Sequence, residues 1–472
     1  MHSFILTLGL LFLQSPYFPN LDRPQLENLK LKANNGPVIF IIVDALRPDR
    51  LTPYGFNRPT SPFIHSLADD GILFTRAYVN ANWTRPSSTS ILSGMLPREH
   101  KVETQTAVLS KHVTTLAERL SDAGIPTGAI IANGNASSSF GLSQGFAHYI
   151  DTNNTWGDLP TAYEVVTHAK EYVHKNQDKP FFLFLFFIDP HNPYRAPKIY
   201  EDAFVREPNV KLIDSPHWEK QKYTKRQKNR MLDTYDASVR FTDDALGELF
   251  NYLRLLNLYD KSTIILSADH GEAFGEHNVY MHAHHLYEEI IRVPLIIKQP
   301  QWHNPGTFYS GIFESIDFVP TIMGIYGLTP PRSLSGRNWT EAIPIEKQKN
   351  RTIFCDFYHF GIKRQALINA SHKIIYSLPA DKERYVQTVG DPKLLPSVSF
   401  DNDDTKFFNM QQDAKEKRNL YTHKAKDMSP WKELLEALMT HIEARNNSQA
   451  TQANGNVSEK TLSNLKALGY IQ

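Results

Sequence analysis

Three runs of apolar residues, Val38 to Val43, Phe181 to Ile188 and Thr263 to Leu266, each stop within three residues of an aspartate: Asp44, Asp189 and Asp269. Runs of this kind, without polar alternation, describe strands buried on both faces, and such strands belong to a mostly parallel sheet covered by helices on either side. Val113 to Asp122 and Leu232 to Leu256 are amphipathic stretches that supply covering helices. In sheets of this type ligands gather at the carboxyl ends of the strands, so the three aspartates are expected at one crevice.

The rest of the chain narrows the possibilities. Over 472 residues, 51 Lys and Arg balance 50 Asp and Glu, leaving no basic field to collect nucleic acid. The single cysteine, Cys355, follows Thr-Ile-Phe in an apolar run and is expected as a small core residue without chemistry. Phe4 to Leu13 has the length of a signal-peptide core and is too short to span a membrane, so residues 1–16 are read as a leader and the protein as secreted or periplasmic, soluble once mature. Glycosylation sequons at Asn82, Asn135, Asn153, Asn338, Asn369, Asn446 and Asn456 are compatible with export. The one at Asn82 contains Thr84, where a glycan would obstruct the candidate site.

A catalytic α/β domain is expected over residues 36–330. Past Leu328 the texture changes, and strand-like runs at Thr352 to Phe357, Gln365 to Ile368 and Lys373 to Ser377 predict a smaller antiparallel sheet within an α+β subdomain, 331–445, with a helix over Trp431 to Arg445. Leu378 to Asp404 reads as an exposed excursion, and 446–472 as a polar linker with a short terminal helix.

The chemistry is concentrated in three motifs. Val-Asp-Ala-Leu-Arg-Pro-Asp spans 43–49, Thr-Arg-Pro-Ser-Ser-Thr-Ser-Ile-Leu-Ser-Gly spans 84–94, and Ser-Ala-Asp-His-Gly-Glu spans 267–272. Carboxylates with an imidazole suit a divalent cation, and a hydroxyl placed on that cation loses its proton more easily. Asp44, Asp269 and His270 are therefore the first candidate ligands, and Thr84 the candidate nucleophile and fourth ligand. A helix over Ser87 to Leu92 would put the Thr84 hydroxyl at a helix N-terminus, although threonine there also serves simply as an N-cap. His191, in Asp-Pro-His-Asn-Pro-Tyr (189–194), and the cluster His282, His284 and His285 are candidates for holding an oxyanion and protonating a leaving oxygen. His277 and His100 are expected to be peripheral.

Taken together these motifs resemble the sulfatase family of the alkaline phosphatase superfamily. The likeness extends through Tyr54-Gly55, Leu-Pro-Arg-Glu-His (96–100), Gln144-Gly145-Phe146, Tyr-Glu-Glu-Ile-Ile-Arg-Val-Pro-Leu-Ile-Ile (287–297), Phe408 to Asp413 with Asn419-Leu420, and Leu-Lys-Ala-Leu-Gly-Tyr (465–470). The resemblance implies the alkaline phosphatase/sulfatase fold, a large mixed, mostly parallel sheet with helices on both faces plus the smaller C-terminal sheet. It also implies an ester hydrolase with one divalent cation, commonly calcium, held by Asp44, Asp269 and His270. Thr84 stands at the nucleophile position, and His191 and His284 at positions that contact the sulfate and assist the leaving group.

Several residues depart from the pattern. Family sulfatases carry Cys or Ser at the nucleophile, with Pro two and Arg four residues on, and oxidise it to formylglycine; here the positions hold Thr84, Pro86 and Ser88, so no formylglycine is expected. Ala45 replaces a second aspartate, His284 stands where many members have Lys, and Asn133 and Asn135 fall at a Lys-x-His element. Fewer carboxylates and more imidazoles move the site toward zinc or manganese. Asp189, His282, His285 and Arg85 remain candidates for oxyanion contacts or a second metal. An unoxidised hydroxyl argues for phosphate-type or phosphonate esters, the family for sulfate esters, on a small-molecule, glycan or lipid alcohol. The alternatives are a phosphotransferase moving a phospho-head group and a catalytically silent protein binding sulfated glycans.

Overall fold

The computed structural model describes residues 21–152, 161–213, 223–349, 351–359, 362–378 and 405–421, with a few isolated positions besides. The leader, the excursion after Leu378, the helix expected over Trp431 to Arg445 and the terminal linker and helix lie outside these residues, apart from isolated positions.

A 10-stranded sheet forms the centre. From one edge its order is Gln25–Leu26, Thr307–Tyr309, Ile72–Tyr78, Arg292–Lys298, Thr263–Ser267, Val38–Val43, Phe182–Phe187, Thr127–Ile131 and His148–Asp151, with Phe313–Glu314 also paired to Ile72–Tyr78. Arg292–Lys298 is antiparallel to both neighbours, and every other pairing is parallel. The three apolar runs read from the sequence occupy adjacent central strands, and each side chain of Val38–Val43 and Phe182–Phe187 is buried. Aromatic and β-branched residues suit this position because they lose little rotamer freedom in a strand and pack against both helical layers.

The covering helices include Pro62–Asp69, Thr84–Ser93, Leu116–Asp122, Ala162–Asn176, Lys225–Leu255 and Phe318–Ile325. The 31-residue helix Lys225–Leu255 starts seven residues earlier than the sequence reading, because Thr224 and Gln227 form a reciprocal capping box ahead of the apolar stripe. Leu116–Asp122 starts later than Val113 for the same reason, since Thr115 and Glu118 cap it.

The smaller sheet is antiparallel with four strands, Ile353–His359, Ile362–Ile368, His372–Leu378 and Lys406–Asn409. Alternate side chains divide between two cores. Ile353, Cys355, Phe357, Ala366, Ile368 and Ile375 join the main cluster, whereas Phe354, Leu367 and Ile374 pack with Leu96 and Ile316. Both faces are thus buried, and the sheet is welded to the large one. Asp356 N–H donates to Asn80 O at 2.9 Å, Asn80 Nδ2 donates to Phe354 O at 2.7 Å, and Lys373 pairs with Glu288 at 3.1 Å and Glu416 at 2.8 Å. Cys355 is fully buried, and burial pushes its thiol well above the usual range, in keeping with a core role.

Candidate active site

Strand register sets the site. Val38–Val43 lies level with both neighbours, pairing Val43 with Phe187 and Ile42 with Ser267, and Asp44 N–H continues the ladder to Phe187 O at 2.9 Å. Asp44 and Asp269 therefore leave adjacent strands at the same height and turn into the same crevice, which follows from the register and not from any helix.

There Asp44, Asp269 and His270, each fully buried, bring one ligand atom apiece within 4.8 Å of one another. His270 Nε2 is 3.4 Å from Asp44 Oδ1 and 3.4 Å from Asp269 Oδ2. Its Nδ1 lies 2.8 Å from Gly271 O, which draws the ring proton to Nδ1 and leaves the Nε2 lone pair facing the carboxylates. Asp269 Oδ1 accepts from His270 N–H at 2.9 Å and Ala45 N–H at 3.3 Å, while Asp44 Oδ2 accepts from Asn133 Nδ2. The remaining oxygens, Asp44 Oδ1 and Asp269 Oδ2, are buried with no hydrogen-bond donor. Three electron-pair donors thus converge with no hydrogen-bond donor between them, a donor set that fits a divalent cation. Burial, then the charge of Asp269, raises the Asp44 carboxyl; burial raises Asp269 to about 7; burial, then His282, holds His270 well below its usual value.

Thr84 opens the helix Thr84–Ser93, three residues earlier than the sequence suggests, with Trp83 as the extended N-cap. The bland reading of Thr84 as an N-cap is thereby displaced. Its Oγ1 faces His270 Nε2 at 3.3 Å, fully buried. The helix ends at Gly94, whose left-handed φ of 70° allows its N–H to close onto Ser90 O at 2.9 Å. Ser87 Oγ donates to Asp269 O at 2.6 Å, tying the first turn to the strand end that carries Asp269. Ser88 Oγ is buried without a hydrogen-bond partner.

The opposite wall is made of imidazoles. His282 stacks on His270 with centroids 4.1 Å apart and meets His191 edge-on at 4.8 Å. Glu272 Oε1 lies 3.2 Å from His282 Nδ1, and His191 Nδ1 lies 2.7 Å from Asn192 O. Burial, then His282, holds His191 well below its usual value. The loop carrying His284 and His285 is held at its backbone: Arg364 donates to His284 O, Asn82 Nδ2 donates to His285 O at 2.9 Å, and Ala283 N–H donates to Asn82 O at 3.1 Å. Met281 and Ala283, on either side of His282, both have left-handed φ, 63° and 65°. His285 is half-buried against Tyr287, at 5.6 Å.

Two candidates are turned to other work. Asp189 Oδ2 accepts from Thr161 N–H at 3.0 Å and Thr161 Oγ1 at 3.3 Å, tying the strand end to the start of the helix Ala162–Asn176, and its carboxylate stands outside the cluster of Asp44, Asp269 and His270. Among the described residues, no second set of three such ligands forms. Arg85 donates to Gln105 O, to Thr104 O at 3.2 Å and to Asn135 Oδ1 at 2.8 Å, with its guanidinium 3.3 Å from the Phe140 ring centroid. An oxyanion role for Arg85 gives way in the same manner. His277 pairs with Glu289 at 2.8 Å, and His100 meets Ser90 Oγ at 3.1 Å, with burial lowering its imidazole to about 3.

Glu272, Asn82 and Arg364 were given no role by the sequence reading. Only Glu272 carried a signal, two residues past His270 in the same motif; Asn82 and Arg364 act through distant carbonyls. Because Asn82 is fully buried and committed to the His285 loop, the sequon there is closed to a glycan.

The sulfatase family profile matches residues 37–328, more than half of the chain and the whole of the large sheet's site-bearing core. The chain belongs to the sulfatase family. As a family member it is an ester-bond hydrolase, and a second profile, N-sulphoglucosamine sulphohydrolase, C-terminal, matches residues 275–445. An arylsulfatase of Clostridium perfringens is 24% identical over 435 residues, covering 76% of this chain and 89% of that protein. Among solved structures, a complex with its substrate D-glucosamine-2-N,6-O-disulfate superposes with a TM-score of 0.66 at 18% identity, covering 88% of this chain and 98% of the other. The phosphonate monoester hydrolase of Agrobacterium radiobacter superposes equally, with a TM-score of 0.66 at 16% identity over 87% and 96%. The fold therefore hosts both sulfur and phosphorus esters in its neighbours. No helix among the described residues is long and apolar enough to cross a membrane.

Proposed function

We propose that this sulfatase-family protein hydrolyses a phosphorus ester, such as a phosphodiester or phosphonate monoester, with the Thr84 hydroxyl as nucleophile. The observation that carries the reading is Thr84 itself, buried at the first turn of its helix with Oγ1 3.3 Å from His270 Nε2 beside the two unpartnered carboxylate oxygens. A divalent cation held by Asp44, Asp269 and His270, with zinc or manganese suited to the donor set, would lower the pKa of that hydroxyl and offset charge developing on the ester. Thr84 Oγ gives up its proton to solvent and forms a bond to phosphorus while the bond to the leaving oxygen breaks, and that oxygen takes a proton from His284, the neutral His191 imidazole keeping its Nδ1 toward Asn192 O. Water then attacks the threonine ester and frees Oγ. Phosphorus is favoured because a hydroxyl, unlike a formylglycine hydrate, has no hemiacetal collapse by which to expel a bound sulfate.

A sulfate ester is the second reading, supported by the arylsulfatase relative and by the neighbour bound to a sulfated sugar. Export follows as part of either reading, since Phe4 to Leu13 has signal-peptide character. The test is a paired assay of aryl sulfate, aryl phosphate, aryl phosphodiester and aryl phosphonate with the zinc- or manganese-loaded protein, alongside intact mass. Thr84→Ala is expected to abolish turnover and any covalent adduct; retained turnover removes Thr84 as nucleophile, and a sulfate-only profile removes the phosphorus reading.

A further inference from the structure

Each aspartate of the cluster presents one occupied oxygen and one bare one, and the two are occupied by different means. Asp269 Oδ1 is taken by two backbone N–H groups, which any sequence would supply at that turn. Asp44 Oδ2 is taken by a side chain, Asn133, fully buried and 89 residues away. The orientation of that amide is fixed from its other end. Asn133 Oδ1 accepts from Asn135 N–H at 2.7 Å, so Nδ2 is the atom left to face Asp44. Asn135 is itself held by Arg85, whose terminal nitrogen donates to Asn135 Oδ1 at 2.8 Å. A relay of neutral amides thus runs from the residue following Thr84 to the back of Asp44.

We infer that Asn133 is a positioning residue of the metal site, holding one oxygen of Asp44 so that this aspartate binds through the other alone, and that it tunes the cluster toward a four-coordinate borderline cation. The inference rests on the metal-site reading above. With both aspartates limited to one oxygen, the described residues offer two carboxylate oxygens, one imidazole nitrogen and the Thr84 hydroxyl. From His270 Nε2 the other three ligand atoms stand at 3.4, 3.4 and 3.3 Å, and the two carboxylate oxygens lie within 4.8 Å of each other. A tetrahedral site with bonds of about 2.0–2.2 Å has edges of about 3.3–3.6 Å. Calcium gathers about 6–8 oxygens, commonly through bidentate carboxylates, and an Asp44 held at one oxygen denies it that mode. Second-shell donors of this kind typically govern metal affinity by about 10–100-fold.

The experiment is calorimetric titration of the metal-stripped full chain with zinc ion and, separately, calcium ion, for wild type, Asn133→Asp, Asn133→Ser and Asp44→Asn. Asn133→Asp keeps the acceptor used by Asn135 and loses the donor to Asp44, so its zinc affinity is expected to fall by about 10–100-fold while its calcium affinity rises. Asn133→Ser keeps a donor and is expected to fall less; it also serves if circular dichroism shows that Asn133→Asp has lost the fold. Zinc affinities of both folded variants within about twofold of wild type, well short of that range, would overturn the inference while an impaired Asp44→Asn leaves the metal reading standing. A wild-type chain that binds neither ion removes both. A changed KM for ester with unchanged zinc affinity also overturns it, since that is the signature of a substrate contact.

Discussion

The two walls of the site are built in opposite ways. Asp44, Asp269 and His270 follow directly on strands whose register places them, so the metal wall needs little beyond local sequence and strand pairing. The imidazole wall is a loop with left-handed φ at Met281 and Ala283, pinned by Asn82 from the start of the Thr84 helix and by Arg364 from the smaller sheet. The first wall is set by topology, whereas the second depends on side chains remote in sequence reaching its carbonyls.

Damage to the two walls should separate cleanly. Asp44→Ala should produce the largest effect: cation binding disappears in calorimetry and turnover falls about a thousandfold or more, since a cation supplies several kcal/mol of transition-state stabilisation and each 1.4 kcal/mol is a factor of ten. Arg364→Met should leave zinc affinity within about twofold of wild type yet lower kcat by up to about thirtyfold, as a charge-assisted bond of about 2 kcal/mol to the His284 carbonyl is lost. Arg364→Lys should recover part of that kcat. A loss of zinc binding in Arg364→Met would erase the distinction between the walls.

A smaller effect concerns pH. Burial raises the Asp269 carboxyl to about 7, so in the metal-free protein it still carries its proton below that value, and a cation must displace it. Cation affinity should therefore strengthen as pH rises toward 7, by about tenfold per unit for each proton released. A flat profile between mildly acidic and neutral pH would show that Asp269 is already ionised without the cation. The smallest expected signal is at Asn82. Peptide mapping of protein expressed through a secretory route should find this sequon unmodified, because a buried amide donating to His285 O admits no glycan; an occupied site would show that the imidazole wall forms late or opens.

How much was legible beforehand follows the same division. The apolar runs announced the central strands, and the aspartates after them announced the crevice, because continuous burial and strand-end position are properties of short segments. The three strands of the smaller sheet were visible for a similar reason, although Lys406–Asn409 was not, since its pairing with His372–Leu378 spans a long excursion. Asp189 and Arg85 carried the same sequence signature as Asp44 and Asp269, and the difference lay in which way their side chains turned. Asp189 met the Thr161 N–H, and Arg85 met two carbonyls and an aromatic face.

By itself, then, the sequence determined the layer architecture, the family and the trio around which the site forms, because hydrophobic burial and strand-end chemistry are encoded locally. Only the tertiary structure decided that each aspartate offers a single free oxygen, that the Asn133 amide reaches the back of Asp44, and that the smaller sheet grips the histidine loop. These depend on side chains up to hundreds of residues apart satisfying one another's hydrogen bonds, a condition of the folded chain that no window of sequence contains.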